Sequence, residues 1–135
     1  VLAATSNPEA IQLQSFTDGS QTVAQHVVDI CAAFNAELGS SEAAGEESVP
    51  GGIGVVVGAT LENPPELSQL NGPVLLPGVG AQGASAADVA RITQANPELG
   101  FANVSRAVLA AGPQVADLRA AVQETASEFF DGGLI

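Results

Sequence analysis

Gly72-Pro73-Val74-Leu75-Leu76-Pro77-Gly78-Val79-Gly80-Ala81-Gln82-Gly83 is the stretch on which the reading of this chain turns, because an apolar run there leads straight into a loop almost bare of side chains. Val74-Leu75-Leu76, set between prolines, suits a strand covered on both faces, as in a parallel sheet flanked by helices. Gly78, Gly80 and Gly83 open backbone conformations closed to residues with a Cβ and let N–H groups approach a ligand. Ser85-Ala86-Ala87-Asp88 follows as a capping box that opens a helix. Strand, glycine loop and helix start, in that order, form a common anion cradle. The same glycine spacing also serves as a purely structural tight turn, and the spacing alone does not separate the two.

Three more strands read outward from this one. Ile53-Gly54-Val55-Val56-Val57-Gly58 is continuous rather than alternating, so both its faces are expected to be buried. Val1-Leu2-Ala3-Ala4 runs into Thr5-Ser6-Asn7-Pro8, a polar turn that is either a site or a plain turn. Leu99-Gly100-Phe101-Ala102-Asn103-Val104 is a last strand, with Ser105-Arg106 at its carboxyl end. Between the strands, Val23, Val27, Ile30, Cys31, Phe34 and Leu38 mark one face of a helix stopped by Gly39, and Gln25, Asp29 and Glu37 mark its polar face. Pro64-Pro65-Glu66-Leu67 can start a short helix, Val89 and Ile92 mark another, and Gly112-Pro113 restarts a longer one. Val115, Leu118, Val122 and Phe129 form the inner face of that helix, which Gly132-Gly133 stops.

Strands alternating with helices through right-handed crossovers give a parallel α/β sheet. Four strands of a closed eight-stranded barrel satisfy this order, and so does a small open sheet. Barrels of that kind build phosphate sites from the loops after their last two strands and a short extra helix. Gly78 to Gly83 and Ser105-Arg106 occupy those places, which favours the barrel and makes Arg106 the cation placed to reach a ligand.

The 135 residues are read as one domain, residues 1–135. Fifteen acidic residues stand against Arg91, Arg106 and Arg119, with no lysine. Such a surface repels nucleic acid and anionic membranes, so neither is an expected partner. A lysine nucleophile, Schiff base or proton donor is excluded within the chain. Arg91 and Arg119 fall mid-helix, where salt bridges or solvated faces explain them. Cys31, the lone cysteine, excludes an internal disulfide or thiolate cluster, fits a reducing cytoplasm and reads as a small buried hydrophobe. His26 reads as a surface or interface histidine, with no metal site expected. No apolar stretch is long enough to span a membrane and no leader is apparent, so a soluble protein is expected. The acidic segment 40–52 reads as a solvated loop rather than a functional patch.

Leu2-Ala3-Ala4-Thr5-Ser6-Asn7-Pro8, Ile53 to Thr60, Leu76 to Gly83 and Asn103-Val104-Ser105-Arg106-Ala107 together resemble the last four strand ends of the orotidine 5'-phosphate decarboxylases, in the bacterial branch with a Thr-Ser-Asn-Pro turn. The resemblance implies the C-terminal half, the last four βα units, of a TIM (β/α)8 barrel. It also implies a homodimer that converts orotidine monophosphate to UMP and CO2 in pyrimidine synthesis, without metal or organic cofactor. By position, Ser6 would hydrogen-bond the pyrimidine, Pro77 would line its pocket and Gln82 would bridge base and phosphate. Amides near Gly83, with Gly80 shaping the turn, and the Arg106 guanidinium would hold the phosphate. The family's catalytic lysines and aspartates, in which a lysine protonates the C6 carbanion, lie on earlier strands and have no counterpart here, so an N-terminal half is the expected partner. A half barrel would expose two sheet edges and an apolar inner face. A phosphate-binding module without turnover, or another phosphate-binding barrel enzyme, are the alternatives.

Overall fold

In the computed structural model, which describes residues 1–39 and 49–131, four short strands pair in sequence order and all in parallel. These are β1 (Leu2–Ala4), β2 (Val55–Val57), β3 (Val74–Pro77) and β4 (Gly100–Asn103). The helices are α1 (Ile11–Gln14), α2 (Val23–Gly39), α3 (Ala86–Ile92), α4 (Arg106–Leu109) and α5 (Val115–Asp131).

Pairing register decides which residues share a face. Leu2 lies opposite Val56, Val56 opposite Leu75, and Leu75 opposite Phe101. These four form one row. The pleat sends Ala3, Val55, Val57, Val74 and Leu76 to the other face, where they join Val28, Cys31, Leu67, Leu70, Val89 and Ile92 in the core. The row itself is uncovered, with Leu2 62%, Leu75 42% and Phe101 50% exposed. The expectation that Val74 to Leu76 and Ile53 to Gly58 are buried on both faces therefore fails on this side of the sheet. The expectation of an open half barrel with an apolar inner face agrees with it, because the described elements pack against the opposite face.

The strand starts are tied by one buried polar side chain. Asn35, 1% exposed on α2, donates through its amide to the carbonyls of Ile53 and Leu70, 2.8 Å each, and accepts from the Ile53 N–H at 3.0 Å. Gly51 and Gly72 make room for it, since a Cβ at either position would overlap its carboxamide. Gly51, near the end of the acidic segment, is thus packed, and residues 40–48 of that segment lie outside the described residues.

Thr22 starts α2, its hydroxyl accepting from the Gln25 N–H. The buried face is Ala24, Val28, Cys31 and Asn35. Cys31 is buried and His26 exposed, its ring 2.9 Å from the Gln21 amide. The expected inward stripe is rotated, because Ile30, Phe34 and Leu38 are exposed. Asn35 satisfies three backbone groups and so fixes which face turns inward, against the pull of the larger apolar residues. Gln25 is not a solvated residue either. It accepts from the Glu66 N–H at 2.7 Å and donates to the Glu66 carbonyl at 3.1 Å.

That clamp replaces an expected helix. Residues 64–67 form no helix, and residues 58–73 cross from β2 to β3 as an irregular loop that buries Leu67 and Leu70. Pro64 and Pro65 remove two donors in succession, and the next amide goes to Gln25. The capping box at Ser85 and Asp88 forms as read, with both arms present. On α5, Phe129 is buried while Val115 and Val122 are exposed. The Gly132-Gly133 stop lies outside the described residues.

Before α2, Asp18 closes a tight turn by accepting from the Ser20 hydroxyl at 2.6 Å and from the Ser20 and Gln21 amides. The Ser20 hydroxyl first, then these amides, lower its pKa to about 2 from the ordinary 3.8. A lowered folded value means that the turn's contribution is present above the ordinary pKa and fades as pH falls through the folded one. An NMR titration is expected to place the Asp18 midpoint near 2, and Ser20→Ala to return it toward 3.8. Asn35→Ala leaves an N–H and two carbonyls unpaired in the interior, and urea unfolding is expected to show a loss of about 3 kcal/mol.

Candidate functional site

A parallel sheet sends every strand's carboxyl end to one edge, and the Thr5-Ser6-Asn7 turn, the glycine loop and Ser105-Arg106 each follow a strand there. After β1, the turn Thr5-Ser6-Asn7 passes through a 3-10 turn at Pro8–Ala10 into α1. Gln14, the last residue of α1, reaches back to Thr5. Its Oε1 accepts from the Thr5 N–H at 2.9 Å, and its Nε2 donates to the Thr5 carbonyl at 2.8 Å. The Thr5 hydroxyl accepts from the Asn7 N–H at 3.3 Å.

The turn forms one wall of a hollow of about 90 Å³ on the uncovered face of the sheet, lined among others by Ser6, Val56, Gly58, Pro77 and Gln82. A Cβ on Gly58 would stand 3.1 Å from the Ser6 nitrogen and 3.6 Å from its hydroxyl, so the bare backbone lets Ser6 sit close over β2. Three of the residues expected at a site, Ser6, Pro77 and Gln82, are therefore brought together from the carboxyl ends of β1 and β3. No lining residue carries a carboxylate, imidazole, thiol or amine. The hollow can orient a ligand and hydrogen-bond it, but it moves no proton.

The glycine loop differs from expectation in one respect. Gly78, Gly80 and Gly83 do adopt positive φ, at 110°, 71° and 91°. The amides from Gly80 to Ala84, however, are not bare. Gly80 donates to the Ala84 carbonyl, Ala81 to Val79, Gln82 and Ala84 to Gly78, and Gly83 to Gly80 at 2.9 Å. The loop is a self-braced turn that presents the Gln82 side chain back over Gly78, where a Cβ would stand 3.0 Å from Oε1. The Gly83 amide is committed within the turn.

Gly80 carries the loop against the segment after β4. A Cβ there would come within 3.2 Å of the Ala107 Cβ, which places the start of α4 beside the glycine loop. Arg106 opens α4 at the surface, outside the lining of the hollow, and its guanidinium makes no hydrogen bond or ion pair among the described residues. Arg91, by contrast, is spent on structure. It donates to the Leu61 carbonyl at 2.9 Å, with Asp88 3.6 Å away, and the Ser85 bonds first, then Arg91, hold the Asp88 carboxyl below its ordinary range.

Sequence reading missed three carboxamides, Gln14, Gln25 and Asn35. Asn35 had a signal, since it falls on the spacing of Ala24, Val28 and Cys31. The two glutamines had none, because their partners are main-chain atoms of other segments. Gln14 and Gln25 also face a second cleft of about 440 Å³, between the turn after β1 and the loop after β2.

The sequence matches the Orotidine 5'-phosphate decarboxylase / HUMPS family over residues 1–121. Orotidine 5'-phosphate decarboxylase of Corynebacterium efficiens is 55% identical over 130 residues, covering 96% of this chain and 44% of that protein. A crystal structure described as a candidate orotidine 5'-phosphate decarboxylase from Streptomyces avermitilis aligns with a TM-score of 0.74 at 41% identity, over 97% of this chain and 44% of the other. One described as a candidate orotidine-monophosphate-decarboxylase from Toxoplasma gondii gives 0.72 at 25% identity, over 99% and 50%. This chain spans half the length of these relatives or a little less, and its fold is that of about half of a TIM barrel. Four strand ends in the expected order on one sheet edge, and a family match over most of the chain, make it a member of the Orotidine 5'-phosphate decarboxylase / HUMPS family.

Proposed function

We propose that this chain is the pyrimidine- and phosphate-gripping half of an orotidine 5'-phosphate decarboxylase, which converts orotidine monophosphate to UMP and CO2. The observation that carries the reading is the hollow in which Ser6, Pro77 and Gln82 converge without any group able to transfer a proton. Ser6 would hydrogen-bond the pyrimidine and Pro77 would pack on its face. Gln82 would span from base toward phosphate, and Arg106, uncommitted beside the glycine loop, would take the phosphate as a bidentate fork. With the Gly83 amide internally bonded, the loop's part is to shape the turn and hold Gln82 and α4 in place.

Catalysis on this reading needs a second segment that brings the lysines and aspartates and covers the row Leu2, Val56, Leu75 and Phe101. Gripping the phosphate then serves the transition state, because binding energy far from the reacting carbon orders the closed site. A cytoplasmic homodimer belongs to the same proposal, supported by the family resemblance and the single buried cysteine.

The lack of a proton-transfer group in the hollow also favours a second reading, a nucleotide-binding module without turnover. Calorimetry with UMP and CO2 release from orotidine monophosphate, with the complementary half supplied, separate the two. Binding with turnover supports the decarboxylase, binding without turnover supports the module, and no binding of UMP refutes both.

Arg106→Ala is expected to weaken UMP binding by about 2 kcal/mol, a typical strength for charge-assisted hydrogen bonds, and to lower kcat/KM of the complete enzyme by at least as much. Uridine, which lacks the phosphate, should bind equally well to both forms. Gly80→Val places a β-branched residue at positive φ, a cost of about 1–2 kcal/mol, and presses on Ala107. Titration should show it losing affinity for UMP but not for uridine, as Arg106→Ala does.

A further inference from the structure

We infer that Gln14 is a positioning residue for pyrimidine recognition, acting through the main chain of Thr5 on Ser6; the inference rests on the proposed role of Ser6 at the base. The Gly58 N–H donates to the Ala4 carbonyl at 3.0 Å, and β1 ends at Ala4. Thr5 is therefore the first residue whose main-chain groups project past the strand, at the point where the chain must turn to deliver Ser6. The Gln14 carboxamide meets both of those groups at once, 2.9 Å from the N–H and 2.8 Å to the carbonyl. It acts as one further rung of ladder, made by a side chain.

Two bonds to a single residue fix the plane of the peptide that follows as well as its position. Rotation about that peptide is the motion that would swing Ser6 away from Gly58 and Pro77. A hydroxyl reading a base edge tolerates little displacement before its hydrogen bond is lost. Gln25 provides an internal comparison, because it grips both main-chain groups of Glu66 in the same manner. Its loop lies across the larger cleft, and neither Gln25 nor Glu66 lines the hollow that holds Ser6.

The test uses the full chain with UMP and ribose 5-phosphate as probes, the second sharing the phosphate but lacking the base. Gln14→Ala should weaken UMP binding about tenfold and leave ribose 5-phosphate within twofold. Gln25→Ala should shift both probes equally or neither. Gln14→Ala combined with Ser6→Ala should bind UMP no more weakly than Ser6→Ala alone, because the two act as one unit. Hydrogen exchange without ligand should show the Thr5 amide losing protection in Gln14→Ala while the Ile53 amide, held by Asn35, keeps its own; this reports that the variant is folded.

Unchanged Thr5 protection, or a Gln14→Ala protein that discriminates the base as the wild type does while Ser6→Ala does not, overturns the inference and leaves the proposed function standing. A folded wild-type chain that binds ribose 5-phosphate but shows no preference for UMP removes the base site itself, and the inference falls with it.

Discussion

A parallel sheet has no hairpins, so each strand must be located by something other than the turn that joins it to its neighbour. In this chain three side-chain carboxamides do much of that work. Asn35 ties the starts of β2 and β3 to α2 at one edge of the sheet. Gln14 and Gln25 hold the segments that leave β1 and β2 at the other. A carboxamide suits the task because it carries a donor and an acceptor side by side, as a peptide does, and can satisfy both main-chain groups of one residue. The strands themselves are only three or four residues long, so the ladder alone would leave the ends free.

The site that results separates holding from reacting. Its hydroxyl, carboxamide and proline offer shape and hydrogen bonds, and its cation stands outside the hollow at the start of α4. With a net charge of −12 on the chain, a phosphate is drawn in by no general field, and the Arg106 guanidinium, without a partner among the described residues, matters more than it would on a basic surface. Arg91 is fixed to the carbonyls after β2.

Much of this was legible in the residues. Glycines after an apolar run gave away the loop after β3, and the Ser85 and Asp88 pair gave away the helix start. Four strand ends with distinctive residues identified the half barrel. What stayed hidden depends on contacts between distant segments. Pro64 and Pro65 look like the first turn of a helix, yet the next amide is claimed by Gln25 on another element. Ile30, Phe34 and Leu38 look like a core stripe, yet the hydrogen bonds of Asn35 turn a neighbouring face inward. The glycine loop looks like a row of open donors, yet its short length lets it bond to itself. Periodicity reports how a segment could pack, and a single polar residue can choose among the possibilities.

The order of strands in the sheet bears on how the two grips are assembled. Neighbours in space are neighbours in sequence, but the connections differ in length, with residues 5–54 between β1 and β2 and only 58–73 between β2 and β3. Closing a loop about three times longer costs about 1 kcal/mol more in chain entropy. Docking β1 is therefore the least favourable pairing, and β1 carries Ser6, while the glycine loop and α4 belong to the compact β2-β3-β4 portion. The elements assigned to the phosphate form a more local unit than those assigned to the base, so partial loosening of the chain at β1 would blur discrimination among nucleotides before it released their common phosphate.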